Sequence, residues 1–415
     1  GGDEDKYEHF YAYVDVLVIG GGVAGLQAAL AAGQSGAKVM LIEQTAHWGG
    51  RAVVDGAIDT TAVNDIPVDK FVDETLATLE AMENVTLRAR MMGAGVYDHG
   101  YVIGYERVND HQPGGPGPRH RLWRIRAGHV VTATGAIERP LSFAGNDIPG
   151  VMLASAIRDY AVNYGVSIGD RTVVVTNNDD AYLTAICLKN MGLDVPAILD
   201  ARNSGGGELA EAAKALGIRV ETGKAIAKVK GGKRVTGVGV CAQAGQGAVL
   251  EEIDCDAVAM SGGWSPVVHL WSHCGGKLVW DDVYSHFKPD VHNPPKGDHG
   301  EAFVSAAGCA AGSQTETDFE GLSLHETFRT ATESAHAAVK ALGRNPIDVS
   351  VPTVQEYEHK PMEAVWMMPQ GAGIELRMKS WLDFQNDVKV SDVQLAAREG
   401  FESVAHAKRY PTPRM

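Results

Sequence analysis

Three glycines, Gly20, Gly22 and Gly25, follow the apolar run Asp15-Val-Leu-Val-Ile and open a stretch of small residues, Val23-Ala24-Gly25-Leu-Gln-Ala-Ala. A G-x-G-x-x-G spacing at a strand-to-helix turn suits the binding of phosphates. Gly20 permits the turn, Gly22 lets the backbone approach a pyrophosphate with no Cβ in the way, and Gly25 lets the helix pack closely on the strand. The helix N-terminus then presents free N–H groups and a partial positive charge to the phosphates. A second strand, Ala37-Lys-Val-Met-Leu-Ile, ends at Glu43, where a carboxylate can hold ribose hydroxyls. Strand, glycines, helix, second strand and terminal acid together predict a dinucleotide site.

Further stretches can complete it. Gly49-Gly50-Arg51 lets backbone run along the nucleotide, and Arg51 offers a charge partner for pyrophosphate; a glycine turn with a solvated arginine is the plainer alternative. His129-Val-Val-Thr-Ala-Thr134-Gly135-Ala136 reads as a buried strand ending in small residues. Asp256-Ala-Val-Ala-Met-Ser261-Gly262-Gly263 and Ala302-Phe-Val-Ser-Ala-Ala-Gly308-Cys309 repeat that pattern, the latter before a helix over about 322–341. Such ends are common turns singly. Their recurrence favours the site.

A second βαβ unit begins at Arg171-Thr-Val-Val-Val, but its glycine positions are Thr176, Asn178 and Ala181, with Asp179 and Asp180 in the turn. Side chains fill the space a pyrophosphate needs and the aspartates repel it, so the fold is expected to persist with a degenerate site. The pattern is that of one nucleotide-binding domain interrupted by another and then completed. The expected divisions are an arm over 1–13, the first domain over 14–139 and 255–345, the inserted domain over 140–254, and a helical docking extension over 346–415. In that extension Ser391 with Gln394 forms a capping-box pattern.

Bulk properties exclude other classes. The 415 residues suggest two or three domains. The net charge of −15 argues against nucleic-acid binding. None of the five cysteines forms a C-x-x-C pair or a zinc-like spacing, so a redox dithiol, a cysteine-bound cluster and a metal site are not expected; buried reduced thiols fit a cytoplasmic setting. His269, His273 and His325 have no ligand spacing. No apolar run approaches twenty residues, so no membrane span is expected. The start, Gly1-Gly2-Asp3-Glu4, reads as processed or truncated and not as a targeting segment.

Several stretches resemble the α subunit of heterotetrameric sarcosine oxidase. They are Val131-Thr-Ala-Thr-Gly-Ala-Ile-Glu-Arg-Pro-Leu, Asn146-Asp-Ile-Pro-Gly-Val-Met, Thr176-Asn-Asn-Asp, and Trp381-Leu-Asp-Phe-Gln-Asn-Asp-Val through Glu399-Gly-Phe-Glu-Ser-Val-Ala-His-Ala-Lys-Arg-Tyr410. The resemblance implies an α/β protein with two Rossmann-like dinucleotide-binding domains of the pyridine-nucleotide disulfide oxidoreductase type, the second inserted in the first, plus a small helical C-terminal appendix. It implies NAD at the first site, FAD on a β-type partner, FMN at the interface with that partner, and γ- and δ-type subunits in the heterotetramer. The overall reaction would convert sarcosine, oxygen and tetrahydrofolate to glycine, peroxide and methylenetetrahydrofolate, with folate bound elsewhere in the longer subunit.

Carried over residue by residue, the resemblance assigns Gly20, Gly22, Val23, Ala24 and Gly25 to the phosphate turn. It assigns Glu43 to the ribose, with Gln44 and Thr45 beside it, and Gly50-Arg51 to the cofactor. The backbone from Met92-Gly93 to Tyr97 would meet the adenine. Thr134-Gly135 and the run from Gly308-Cys309 through Ser313 and Thr315 would close the pocket. No catalytic residue for amine oxidation is expected in this chain. Cys309 stands where FAD-binding relatives carry an aspartate, which favours NAD over FAD. The cysteine-free tail departs from the cluster-binding opine oxidase subunits. Two rivals remain: a free-standing FAD-dependent NAD(P)H oxidoreductase, or a subunit of a related N-methyl amino acid or opine oxidase or dehydrogenase. A non-enzymatic, nucleotide-stabilised scaffold is a third class.

Overall fold

The computed structural model describes residues 5–58, 61–112, 114–312 and 323–410. The chain forms two compact units, Gly1–Ile137 with Ser265–Glu356, and Glu138–Trp264 with Tyr357–Met415.

The first unit is built on one sheet. Its strands run in the order Val85–Arg88, Val39–Ile42, Lys6–Ile19, Pro118–Thr132, Tyr101–Arg107 and Met91–Tyr97, and Val304–Ala306 also pairs with Pro118–Thr132. Pairing is parallel through the first four strands and with Val304–Ala306, and antiparallel for the other two. Val16, Leu17 and Val18 are completely buried, as a central parallel strand covered on both faces requires. The helix Val23–Gln34 has no polar face, because it is itself buried. Its Ala28, Ala31 and Ala32 share a core with Ala331, Ala335 and Ala338 of the helix Leu324–Ala341. Small side chains let these two helices approach closely.

The expected N-terminal arm is a strand instead. Lys6–Tyr13 continue into the first buried strand and pair with Pro118–Arg126. The two-residue alternation of Tyr7, His9, Tyr11 and Tyr13 is that of a strand, but Tyr7, Tyr11 and Tyr13 are exposed, so no hydrophobic signal accompanied it.

The second unit has a five-stranded parallel sheet, ordered Val151–Leu153, Ala257–Ser261, Thr172–Thr176, Ile198–Asp200 and Val220–Thr222. An antiparallel meander, Lys224–Gly231, Val235–Ala242 and Glu251–Ile253, accompanies it. The boundary expected at 255 therefore moves to 265, because Ala257–Ser261 pairs with two strands of this sheet. Ser261-Gly262-Gly263 accordingly belongs to the second unit. The expected boundary at 346 falls at 357, since residues from Tyr357 onward belong to the second unit.

The tail holds the strands Trp381–Asp383 and Val388–Lys389 and the helices Val390–Arg398 and Val404–Arg409. The first of these helices begins before Ser391, and Asp392 accepts the Lys389 N–H at 3.0 Å, so the expected Ser391–Gln394 capping pair is not formed. Buried Asn146 anchors the tail. Its side chain donates to the carbonyls of Leu141 (3.0 Å) and Trp381 (2.9 Å) and accepts the Trp381 N–H at 2.9 Å. Two stretches that carried the family resemblance thus meet in space.

Candidate functional site

Gly20 ends the first strand with φ +111°, and a Cβ there would collide with the Ala133 carbonyl. A Cβ on Gly25 would collide with the Gly20 carbonyl, so this glycine sets the distance between helix and strand. Gly22 differs from both. Its φ of −68° and ψ of 175° suit any residue. A Cβ on it would meet nothing in the described chain nearer than the Gly50 Cα at 4.0 Å. Packing does not require glycine at this position. The helix that follows has neither a side-chain cap nor an acid in its first turn, so among the described residues no capping side chain takes up its leading N–H groups. This cradle fits a dinucleotide pyrophosphate.

Glu43 lies beside the turn. Its Oε2 accepts the Gly21 N–H and its Oε1 accepts the Thr45 N–H, both at 2.7 Å. The Glu43 carbonyl accepts the Met91 N–H at 2.7 Å, which places the start of the strand carrying Met92 and Gly93 next to the acid. Gly93 in turn lies against Ile19, whose Cγ2 would be 2.7 Å from a Cβ there. Gly49 N–H donates to the Gly21 carbonyl at 2.8 Å, and the Gly50 backbone faces Gly22. Thr134 donates to the Val267 carbonyl at 2.9 Å, while the neighbouring Gly135 has open space where a Cβ would stand. Gly308 packs on Ala24 in the first helical turn, with Cys309 next to it in a short 3-10 turn.

The sequence-derived residues from Gly20 to Cys309 thus converge on the C-terminal ends of the parallel strands, the usual place for ligands in such sheets. Arg51 already has a partner, Asp55, at 3.0 Å. Ser313 and Thr315 lie outside the described residues. Gly21 and Trp48 were not singled out in the sequence. A Cβ on Gly21 would fall 2.5 Å from Trp48 Cε3 and 2.7 Å from the Glu43 Cβ, so ring and acid meet over this glycine. The signal available was the surplus: a third consecutive glycine that the fingerprint does not need.

The corresponding turn of the second unit is filled by the protein. Asp179 Oδ1 accepts from Arg202 and from the Gly206 N–H (3.0 Å), and its Oδ2 accepts the Lys360 N–H at 2.6 Å. Asp200, in the ribose-acid position, is held by Arg202 Nη2 at 2.7 Å and by the Tyr182 hydroxyl at 2.8 Å. Burial works against the charge of Arg202, but its bonds to Asp200 and Asp179 outweigh this and hold the guanidinium more firmly protonated than usual. Arg158, completely buried, grips both oxygens of Asp180 at 2.8 and 2.9 Å.

Nearby, Glu138 Oε2 accepts the Ser155 N–H at 2.9 Å, while Oε1 has no hydrogen-bond partner among the described residues. Burial, reinforced by the charge of Asp180, raises the Glu138 carboxyl to about 7. Burial pushes the Cys241, Cys255 and Cys274 thiols up to about 11, which keeps them protonated and inert. Among the described residues no group of histidine, cysteine, aspartate or glutamate could hold a metal ion. No described helix is long and apolar enough to cross a membrane.

Residues 14–283 match the pyridine nucleotide-disulphide oxidoreductase family, and the chain belongs to it. It is thus of the oxidoreductase class, built on paired dinucleotide-binding folds. Residues 377–415 match the sarcosine oxidase A3 domain. The chain is 38% identical over 417 residues to the sarcosine oxidase alpha subunit of Rhizobium meliloti (strain 1021), covering 100% of this chain and 39% of that protein. The alpha subunit from Corynebacterium sp. (strain P-1) is 37% identical over 98% of this chain and 41% of its own length. An opine oxidase subunit of Agrobacterium tumefaciens (strain Ach5) is 25% identical over 79% of this chain and 69% of its own length. The chain spans about two fifths of the length of the sarcosine oxidase relatives it matches. L-proline dehydrogenase from P. horikoshii shares the fold with a TM-score of 0.68 at 21% identity, over 97% of this chain and 70% of that one. That likeness concerns the fold alone.

Proposed function

We propose that this chain is the dinucleotide-carrying, α-type portion of a sarcosine oxidase-like flavoenzyme, with NAD at its first site. The observation that carries the reading is the space in front of Gly22, a glycine that nothing among the described residues requires. Gly20–Gly25 would hold the pyrophosphate and Glu43 the adenosine ribose. Met92-Gly93 would border the adenine, and Thr134-Gly135 with Gly308-Cys309 would flank the remainder. NAD supplies hydride-transfer chemistry when bound; the chain's own residues bind and orient it. Cys309, where FAD-binding relatives carry aspartate, favours NAD there. The amine would be oxidised on a β-type partner carrying FAD, with FMN at the interface and γ- and δ-type subunits completing a cytoplasmic complex. That complex would take sarcosine, oxygen and tetrahydrofolate to glycine, peroxide and methylenetetrahydrofolate. The closed second turn counts against a free-standing reductase that docks NAD(P)H in its second domain.

The match to the opine oxidase subunit, over more than two thirds of that protein, favours one second reading: a related chain whose complex oxidises another N-methyl amino acid or an opine. The deciding experiment is to denature the purified chain and identify the released nucleotide by chromatography and absorbance. A colourless extract containing NAD supports the first reading. A yellow one containing FAD overturns it. Reassembly with partner subunits and a panel of N-methyl amines then separates sarcosine from opines, and absence of turnover with every amine would leave a scaffold.

A further inference from the structure

We infer that Trp48 is a positioning residue for Glu43, holding the carboxylate in the orientation that leaves one lone-pair site on each oxygen for the ribose diol. The inference rests on the reading of that site as a dinucleotide site. It starts from Gly21, the glycine without a role in the phosphate fingerprint. Its missing side chain leaves the room into which the Trp48 ring is laid, with ring carbons at 2.5 and 2.7 Å from where a Cβ would stand and the Glu43 Cβ at 2.7 Å from the same point. Trp48 is partly buried and packs against the core of the first unit. Its chain neighbour Gly49 closes the loop onto the phosphate turn, with Gly49 N–H on the Gly21 carbonyl at 2.8 Å and a parallel bridge between Gly22 and Gly49. The indole is therefore held over the peptide whose N–H donates to Glu43 Oε2.

The hydrogen-bond count of Glu43 explains what this achieves. A carboxylate has about four lone-pair sites. One on each oxygen is taken, by the Gly21 and Thr45 N–H groups, both at 2.7 Å. That leaves a site on each oxygen, the number a vicinal diol fills with its two O–H donors. A 2′-phosphate has no such donors at neutral pH and brings negative charge to a carboxylate with no ion-pair partner among the described residues. Of the nearby arginines, Arg90 is paired with Asp110, and Arg107, at the end of the strand Tyr101–Arg107, donates to the Gln44 carbonyl at 2.7 Å. By covering Gly21, the indole keeps water from competing for the Gly21 N–H, so the carboxylate stays in the diol-binding orientation.

The test uses the full chain, stripped of nucleotide and titrated with NAD and separately with NADP by calorimetry. Wild type, Trp48→Leu and Trp48→Phe are compared. Wild type is expected to prefer NAD. Trp48→Leu is expected to weaken NAD binding roughly tenfold, the effect of loosening one charge-assisted hydrogen bond, while changing NADP binding less than about twofold. The NAD:NADP ratio therefore collapses, which general loosening of the fold would not produce. Trp48→Phe keeps a flat ring on Gly21 and should restore the ratio. If Trp48→Leu weakens both nucleotides equally, or neither, the role given to Trp48 is wrong while the dinucleotide site stands. If wild type binds neither nucleotide nor FAD, the site reading falls and this one with it.

Discussion

Replacing Gly22 with alanine separates what the ligand needs from what the fold needs. The backbone at Gly22 (φ −68°, ψ 175°) accepts any residue, and the new methyl would meet only the Gly50 Cα at 4.0 Å. The nucleotide-free chain should therefore lose little stability. The gain of about 0.4–1 kcal/mol from narrowing the unfolded ensemble is offset by alanine's poorer fit at the helix N-cap, so the net change should be small. The bound pyrophosphate should feel the methyl strongly, since it stands between the phosphates and the helix N–H groups. Losing one charge-assisted hydrogen bond costs about 1.5–3 kcal/mol, roughly a 10- to 150-fold loss of affinity. Gly20→Ala and Gly25→Ala are the contrasting controls, because their methyls would collide with the Ala133 and Gly20 carbonyls and should unfold the first unit. The assay is nucleotide retained per chain after desalting, together with thermal unfolding of the stripped proteins. All stability comparisons need stripped chains, since bound ligand raises apparent stability by mass action. A Gly22→Ala chain that keeps a full equivalent of nucleotide, or unfolds well before wild type when stripped, would refute the reasoning.

The two units should respond oppositely to pH. Glu138, about 7 when folded against an ordinary 4.5, holds a proton in the native state that the unfolded chain has lost, so the second unit loses about 3 kcal/mol as pH rises from 4.5 through 7; Glu138→Gln should flatten that limb. His129 is lowered by burial from 6.5 to about 4, so the first unit's stability is complete above 6.5 and falls by about 3 kcal/mol as pH drops through 4. Hydrogen exchange resolved by unit at pH 5 and pH 8 checks both, and parallel profiles in the two units would contradict them. Asn146→Ala removes three hydrogen bonds, one buried and two partly buried, and should cost about 2–4 kcal/mol; limited proteolysis should then cut near Trp381 first, and an unchanged digestion pattern would count against the anchor. Arg202→Met leaves Asp179 and Asp200 buried without their cation and should destabilise the second unit by about 3–5 kcal/mol in denaturant unfolding; a change under about 1 kcal/mol would mean the carboxylates find other partners.

Local backbone chemistry made the site legible in sequence. Gly20, Gly22, Gly25 and Glu43 all lie within one βαβ unit, so their spacing carried their geometry. Gly21 and Trp48 escaped because their relation is tertiary: an indole laid on a glycine from the next loop leaves no periodic trace. The sequence of Ala257–Ser261 marks a buried strand ending in small residues but does not say which sheet holds it. Its apolar run is equally at home in either, and only pairing with Val151–Leu153 and Thr172–Thr176 decides. Lys6–Tyr13 went unseen as a strand because their stability comes from pairing with Pro118–Arg126 and not from buried side chains. In the decayed turn, the sequence shows aspartates that would repel a phosphate. That Arg202, Arg158 and the Lys360 backbone satisfy them depended on contacts that sequence spacing does not show.

The two turns answer one electrostatic problem in two ways. Each leads from a buried parallel strand into a helix whose N-terminus carries partial positive charge and unsatisfied N–H groups. In the second unit the chain supplies the negative charge itself, with Asp179 at the N-cap position and Asp180 in the first turn, and then neutralises that charge with Arg202 and Arg158. That arrangement is complete and has no room for a phosphate. In the first unit the corresponding positions are Gly22 and Val23, with no acid in the first turn and no side-chain cap. There no cap or first-turn acid of the helix supplies the anion. A bound dinucleotide in the first unit would then do for its helix what Asp179 and Asp180 do for theirs. Stripping it should lower the stability of the first unit alone, which makes the ligand a structural component of the chain as well as a cofactor.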